Sequence, residues 1–251
     1  MIKSSNPALN SSVFSNEAQL SPTHTHPGAE STTMTIQGTV NKTALSLLIL
    51  VCTAGWTWGQ SPSLIAGLSV LGAIVGFILA IVLMFKKTWA PVLVPVYAAV
   101  EGLFVGAISA TFESQYPGIV MQSVGLTFAT LFALLSAYKS GLIKPTENFK
   151  LGIFAATAGI GIFYLAAFIF GLFGVDFPIL YGNSNLSIGL SVVIVAIAAL
   201  NLVMDFDFIE SGAEQGAPKY MEWYGAFGLL VTLIWLYIEI LRLMSKLASR
   251  R

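Results

Sequence analysis

The sequence predicts an all-α membrane protein with seven transmembrane helices. Two observations carry this expectation. The 251 residues are 56% hydrophobic and only 10% charged, with a mean hydropathy of +0.81. A soluble domain carries about 25% charged residues. The apolar residues also fall into seven long segments, each close to the ~20 residues a helix needs to cross about 30 Å of hydrocarbon.

The chain opens on a polar arm. Residues 1–40 are rich in Ser, Thr, Asn, Pro and Gly, and are expected to be a disordered tail preceding a transmembrane domain over residues 41–251. The arm lacks a basic stretch running directly into an apolar one, so it does not read as a signal peptide. It holds both histidines, His24 and His26, a pair able to hold a metal only weakly.

The seven segments are Thr43–Gly59, Leu64–Phe85, Ala90–Thr111, Ile119–Tyr138, Leu151–Phe173, Ser187–Phe208 and Trp223–Leu247. The first is the shortest, and its Trp56 and Trp58 suit a membrane interface. Cys52, the single cysteine, lies within it and reads as a packing residue. The turn Gly59–Ser63 carries Pro62, which favours a new helix start. Gly67, Gly72 and Gly76 mark the second segment, Gly102 and Gly106 the third, and Gly152, Gly159 and Gly161 the fifth. Such residues let helix backbones approach closely in lipid. No internal repeat is visible, which disfavours an inverted-repeat transporter.

The connections set the expected orientation. Lys86, Lys87, Lys139, Lys144 and Lys150 flank the two-to-three and four-to-five connections, whereas three-to-four and five-to-six carry no Lys or Arg. The positive-inside rule then places the N terminus and the six-to-seven connection in the cytoplasm. Seven crossings put the C terminus outside, against the pull of Arg242, Lys246, Arg250 and Arg251. Full crossing is nevertheless expected. Lys plus Arg equals Asp plus Glu at 12 each, so nothing in the charge points to nucleic acid. The partners implied are the lipid bilayer and other membrane proteins.

The candidate functional residues are acids. A charge at the bilayer centre costs roughly 2.5–3.5 kcal/mol on insertion scales, so an intramembrane acid is a functional hypothesis by default. Glu101 lies about 18 Å past Trp89 along the third segment, near the midplane. Glu239 lies about 25 Å past Glu222 along the seventh. Asp205 and Asp207 end the sixth, on different faces, and Asn201 stands one turn deeper on the face of Asp205. Glu210, Glu214 and Lys219 follow in an expected hairpin. Carboxylates alone suit Ca²⁺ or protons. Two of them brought close share a proton and can sense pH. Asp205 with Glu239 is a candidate Ca²⁺ pair. The spans hold no His, which disfavours zinc, copper or iron sites and a serine protease. No enzyme and no cofactor are expected. Binding, sensing, conduction, a proton-coupled transporter and a scaffold for other membrane proteins remain.

At LNLVMDFDFIE (Leu200 to Glu210) and LYIEILRLM (Leu236 to Met244) the chain resembles the Bax inhibitor-1 family. That family shows an Asp late in helix six and an LYLD-like motif in helix seven. MTIQGTVNKTALSLL and EWYGAFGLLVTLIWLYIEILRL resemble a bacterial branch, and the likeness runs through nearly all of the chain after residue 34. The resemblance implies a bundle with the last helix central, and a bacterial inner-membrane location. It also implies a pH-sensitive Ca²⁺ leak gated by an acid pair, here Asp205 or Asp207 with Glu239. Two departures stand out. Glu239 replaces the usual Asp, and 34 residues separate it from Asp205. In a simple antiparallel hairpin the two acids would differ in depth by more than two turns. Glu101 is therefore the expected partner of Glu239, and Glu222 that of Asp207.

Overall fold

Thr35 starts the bundle. Its extended backbone and its hydroxyl, which accepts from Gly38 N at 3.0 Å, cap a helix that begins seven residues before the expected Thr43. The computed structural model describes residues 32–175 and 177–250. Most of the polar arm, with His24 and His26, lies outside the described residues, as does Arg251. Among the described residues there are eight α-helices and no strand: α1 Ile36–Trp58, α2 Pro62–Phe85, α3 Ala90–Gln115, α4 Ile119–Lys139, α5 Glu147–Leu172, the single turn α6 Pro178–Tyr181, α7 Asn185–Glu214 and α8 Met221–Ala248. Seven of them, all but α6, are long and apolar enough to cross a membrane. The chain is an all-α integral membrane protein.

α1 explains why its first turns looked non-membranous. Thr39, Thr43, Ser46 and Leu50 are buried, whereas Val40, Leu45, Leu48 and Val51 face outward. The pattern is helical but inverted relative to a soluble helix, with small hydroxyl residues inside and branched apolar ones towards lipid. Thr39 and Thr43 return their hydroxyls to the carbonyls four residues back. Polarity therefore lowered the hydropathy of a stretch that nevertheless packs. Cys52, expected to pack, is exposed on this helix.

Glycine sets the closest helix contacts. Gly102 and Gly106 press α3 against Leu50, Thr53 and Ala54 of α1, and Gly72 presses α2 against Phe104. By contrast, Gly152, Gly159 and Gly161 on α5 have open space where a Cβ would stand. The small-residue signal was thus right for Gly72 and Gly76 of α2 and for α3, and empty for Gly67 and for α5.

α8 is the central helix, packed against α1, α3, α4 and α7. One side carries Leu230, Ile234, Tyr237 and Leu241 into a cluster with Leu50, Val94, Tyr97 and Ala98. The other carries Leu229, Leu233, Leu236 and Ile240 onto Ala198, Leu202 and Phe206 of α7. α7, at 30 residues or about 45 Å, outruns the hydrocarbon, so the acids expected in a hairpin, Glu210 and Glu214, continue on the helix. The turn to α8 uses Gly216 at φ 65°.

The bundle has a near end, where α1 and α8 begin, and a far end, where α8 finishes. The described lysines of the sequence up to Lys219 all lie at or close to the near end. At the far end Lys246 is buried on α7, donating to Ser191 Oγ at 2.8 Å, and Arg250 donates to Asn183 O and Asn185 Oδ1 at 2.7 Å each. The basic C-terminal end is thus engaged by the protein itself.

Candidate functional site

The expected acids separate into three groups along the bundle. Glu222, in the first turn of α8, is wholly enclosed at the near end. Its Oε1 accepts from Thr35 N at 2.9 Å and Thr35 Oγ1 at 2.8 Å, and the carboxylate is ion-paired with Lys42 of α1 and, at 3.1 Å, with Lys219. Gly38 lets α1 lie directly on this carboxylate. A buried acid of this kind is tolerated because every oxygen meets a donor and a cation. Asp207 pairs with Lys150 of α5 at 2.9 Å, and Glu210 accepts from the Tyr138 hydroxyl of α4. The expected pair Glu222 with Asp207 is therefore not formed: each takes a cation from a different helix.

Glu239 lies towards the far end and is 2% exposed. Its Oε1 accepts from the Tyr164 hydroxyl of α5 at 2.8 Å and from Arg242 Nη1 at 3.0 Å, and Arg242 also donates to Tyr164 Oη at 2.7 Å. The guanidinium stands over the Tyr164 ring, 5.4 Å from its centroid. The closed triangle of acid, cation and hydroxyl replaces the expected partner Glu101. Glu101 is buried near the middle of α3, beside Tyr97 one turn earlier and Gly76 of α2. Among the described residues it forms no ion pair.

Asp205 is the exception in the sixth span. It is half-buried on α7, yet its Oδ2 is enclosed and meets no hydrogen-bond partner among the described residues. Across the seam stand Gly228, where an ideal Cβ would lie 3.5 Å from Oδ1, and Thr232. Glu239 lies seven residues beyond Thr232, about 10 Å further along α8. A Ca²⁺ held jointly by Asp205 and Glu239 needs oxygens at about 2.3–2.6 Å, so this arrangement does not form that site. The reason is the one the spacing gave: a tight antiparallel hairpin keeps acids of such separation at different depths. Asn201 does not line Asp205 either. Its Nδ2 donates to Thr157 Oγ1 of α5 and to Ile197 O, both at 2.8 Å. Among the described residues no group of three or more His, Cys, Asp or Glu is placed to hold a metal ion.

Sequence reasoning missed Lys42, Lys150, Tyr164 and Arg242. Arg242 was legible, three residues from Glu239 on one helix face. Lys42 carried a weaker signal, a charge at the edge of an apolar run. Nothing in the sequence points to Tyr164 or to Lys150 as partners, because both come from a helix distant in the chain.

Chemically, Glu222, Asp207 and Glu239 are neutralised carboxylates that fasten helices together. Among the described residues, Asp205 and Glu101 form no ion pair. No curated protein matches the chain. A family model described as Bax inhibitor 1 like matches residues 6–249, nearly its whole length. With seven spans, a central last helix and acids placed along its seams, the chain belongs to the Bax inhibitor 1-like family of membrane proteins.

Proposed function

We propose that this protein passes cations, Ca²⁺ or protons, down their gradient through a route that includes Asp205. One observation carries the reading: a carboxylate oxygen of Asp205 is enclosed in the bundle with no donor among the described residues to satisfy it. Such a group costs about 1–3 kcal/mol or more to bury unpaired. It is retained where a proton or ion occupies it during function. Carboxylate oxygen suits Ca²⁺ as cargo, and protonation of the same oxygen makes passage sensitive to pH. In this reading the gate is not an acid pair, since Asp205 faces Gly228 and Thr232 rather than a second carboxylate. Glu101 is the second candidate station, and the triangle of Glu239, Arg242 and Tyr164 is a barrier towards the far end. The near end is cytoplasmic, supported by its lysines and by the engagement of Lys246 and Arg250 at the other end. The protein acts as a transport protein and not as an enzyme, and needs no resident cofactor.

A non-conducting scaffold for other membrane proteins is the second reading. It is favoured by the ion pairs that lock Glu222, Asp207 and Glu239. Flux separates the two. Purified protein in liposomes is tested for Ca²⁺ entry and for proton movement between pH 6 and 8, with Asp205→Asn and Glu239→Gln beside the parent. Conduction predicts a flux above empty liposomes whose pH dependence is lost in Asp205→Asn. Folded protein with no flux of either ion leaves the scaffold.

A further inference from the structure

We infer that Thr33–Lys42 forms a closure over the near end of the α7–α8 seam, with Met34 as its stopper and Glu222 as its anchor. The inference deepens the proposed conduction and rests on it for its consequence, that the closure controls aqueous access to Asp205.

The stopper is built from matched spacing on two helices. Asp205, Ile209 and Gly212 follow one another at i, i+4 and i+7 on α7, so they share a face. Gly225, Gly228 and Thr232 share the opposing face of α8 in the same way. The two glycines nearest the near end leave a gap in the seam, and Met34 fills it. An ideal Cβ on Gly212 would lie 3.0 Å from Met34 Sδ, and one on Gly225 would lie 3.6 Å from Met34 Cε and 3.1 Å from Ile209 Cγ1. Met34 is 3% exposed although it precedes the first helix. Two apolar layers, Ile209 and then Met34, therefore separate Asp205 from the near-end water. Ile209 is fixed in the last turns of a helix. Met34 stands on a short extended strap.

The strap is held by polar contacts at its two ends. Thr33 bridges Pro218 in antiparallel fashion, and Met34 N donates to Ala217 O at 2.7 Å. Glu222 then receives Thr35 N, Thr35 Oγ1 and the ammonium of Lys42, all from the strap or the first turns of α1. The enclosed acid at the start of α8 serves no ion route in this arrangement. It gathers the donors of a segment about 180 residues away. Removing its charge withdraws the attraction that seats Met34. The bridge of Thr33 to Pro218 and the hydrogen bond from Met34 N to Ala217 O remain to hold the strap.

The test reads access to position 205 directly. Full-length protein carrying Cys52→Ser and Asp205→Cys is treated in detergent with a water-soluble methanethiosulfonate reagent, and modification at 205 is followed by mass spectrometry of the peptide. Labelling is expected to be slow with the strap intact. Met34→Ala and Glu222→Gln should each raise its rate at least about tenfold, the equivalent of about 1.4 kcal/mol of closure. Circular dichroism and gel filtration confirm that both variants are folded. The decisive arm is rescue. Thr33 and Pro218 face each other across the antiparallel bridge, where a disulfide would tie the strap to the turn before α8. Adding Thr33→Cys and Pro218→Cys to the Glu222→Gln protein should restore slow labelling when oxidised and release it after reduction. Labelling equally fast with and without Met34, or untouched by the cross-link, overturns the closure. Strap-dependent labelling in a protein without flux keeps the closure and removes the conduction reading. Flux lost in Asp205→Asn with strap-independent labelling does the reverse.

Discussion

Gly106→Ala and Gly159→Ala are the same chemical change on two transmembrane helices, and the structure gives them opposite signs. A Cβ on Gly106 would lie 2.7 Å from Ala54 Cα and 2.9 Å from its carbonyl carbon, a contact with backbone that no rotamer can relieve. α1 and α3 must move apart, loosening the tightest helix pair of the bundle, and overpacking of this kind costs about 1–3 kcal/mol. The intrinsic gain of Ala over Gly in a helix is at most about 1 kcal/mol. The net expectation for Gly106→Ala is a loss of up to about 2 kcal/mol. At Gly159 nothing lies within 4 Å of the new methyl group, so only the helical gain of about 0.5–1 kcal/mol remains. Equilibrium unfolding in mixed micelles, followed by far-ultraviolet circular dichroism as denaturing detergent is titrated, measures both. The midpoint should fall for Gly106→Ala and rise slightly for Gly159→Ala. Two shifts of the same sign would refute the argument that close backbone approach, and not glycine content, holds α1 to α3.

The Glu222 anchor should behave as a coupled unit. Lys42→Met leaves a buried carboxylate with one cation fewer and should cost about 2–3 kcal/mol, below the 3–5 kcal/mol of a pair broken outright because Lys219 and Thr35 remain. Adding Glu222→Gln should recover at least about 1 kcal/mol of that loss in a double-mutant cycle, and strict additivity would show that the two do not interact. Tyr164→Phe removes a hydroxyl that both donates to Glu239 and accepts from Arg242, and should cost about 1–3 kcal/mol by the same unfolding assay; no change would mean that the triangle is not held as described.

The spans were legible because lipid imposes a length and a composition, and both survive in the sequence as apolar runs. α1 was truncated by seven residues for an instructive reason. Its inward face is made of Thr39, Thr43 and Ser46, and a hydropathy reading scores such residues as if they faced water. The mismatch in depth between the acids Asp205 and Glu239 was readable too, since rise per residue fixes it. Their partners were not. Glu222 meets Lys42 and Asp207 meets Lys150 across 180 and 57 residues of chain, and no local pattern encodes which helix lies beside which. Sequence spacing is informative along a helix, as with Arg242 beside Glu239, and silent between helices.

The central position of α8 has a consequence for how the protein is made. The helix that α1, α3, α4 and α7 pack around leaves the ribosome after the six other described spans. Six spans must enter the bilayer and wait with their seam open, so Asp205 of α7 passes through a stage without Gly228 and Thr232 across from it. Only the final segment, carrying Glu222 at one end and the Arg242 triangle at the other, completes the assembly and fastens α1 and α5 in one step. A chain stopped before Met221 is therefore not a slightly shortened bundle. It is a shell with no centre, and its exposed seam is what membrane quality control would meet.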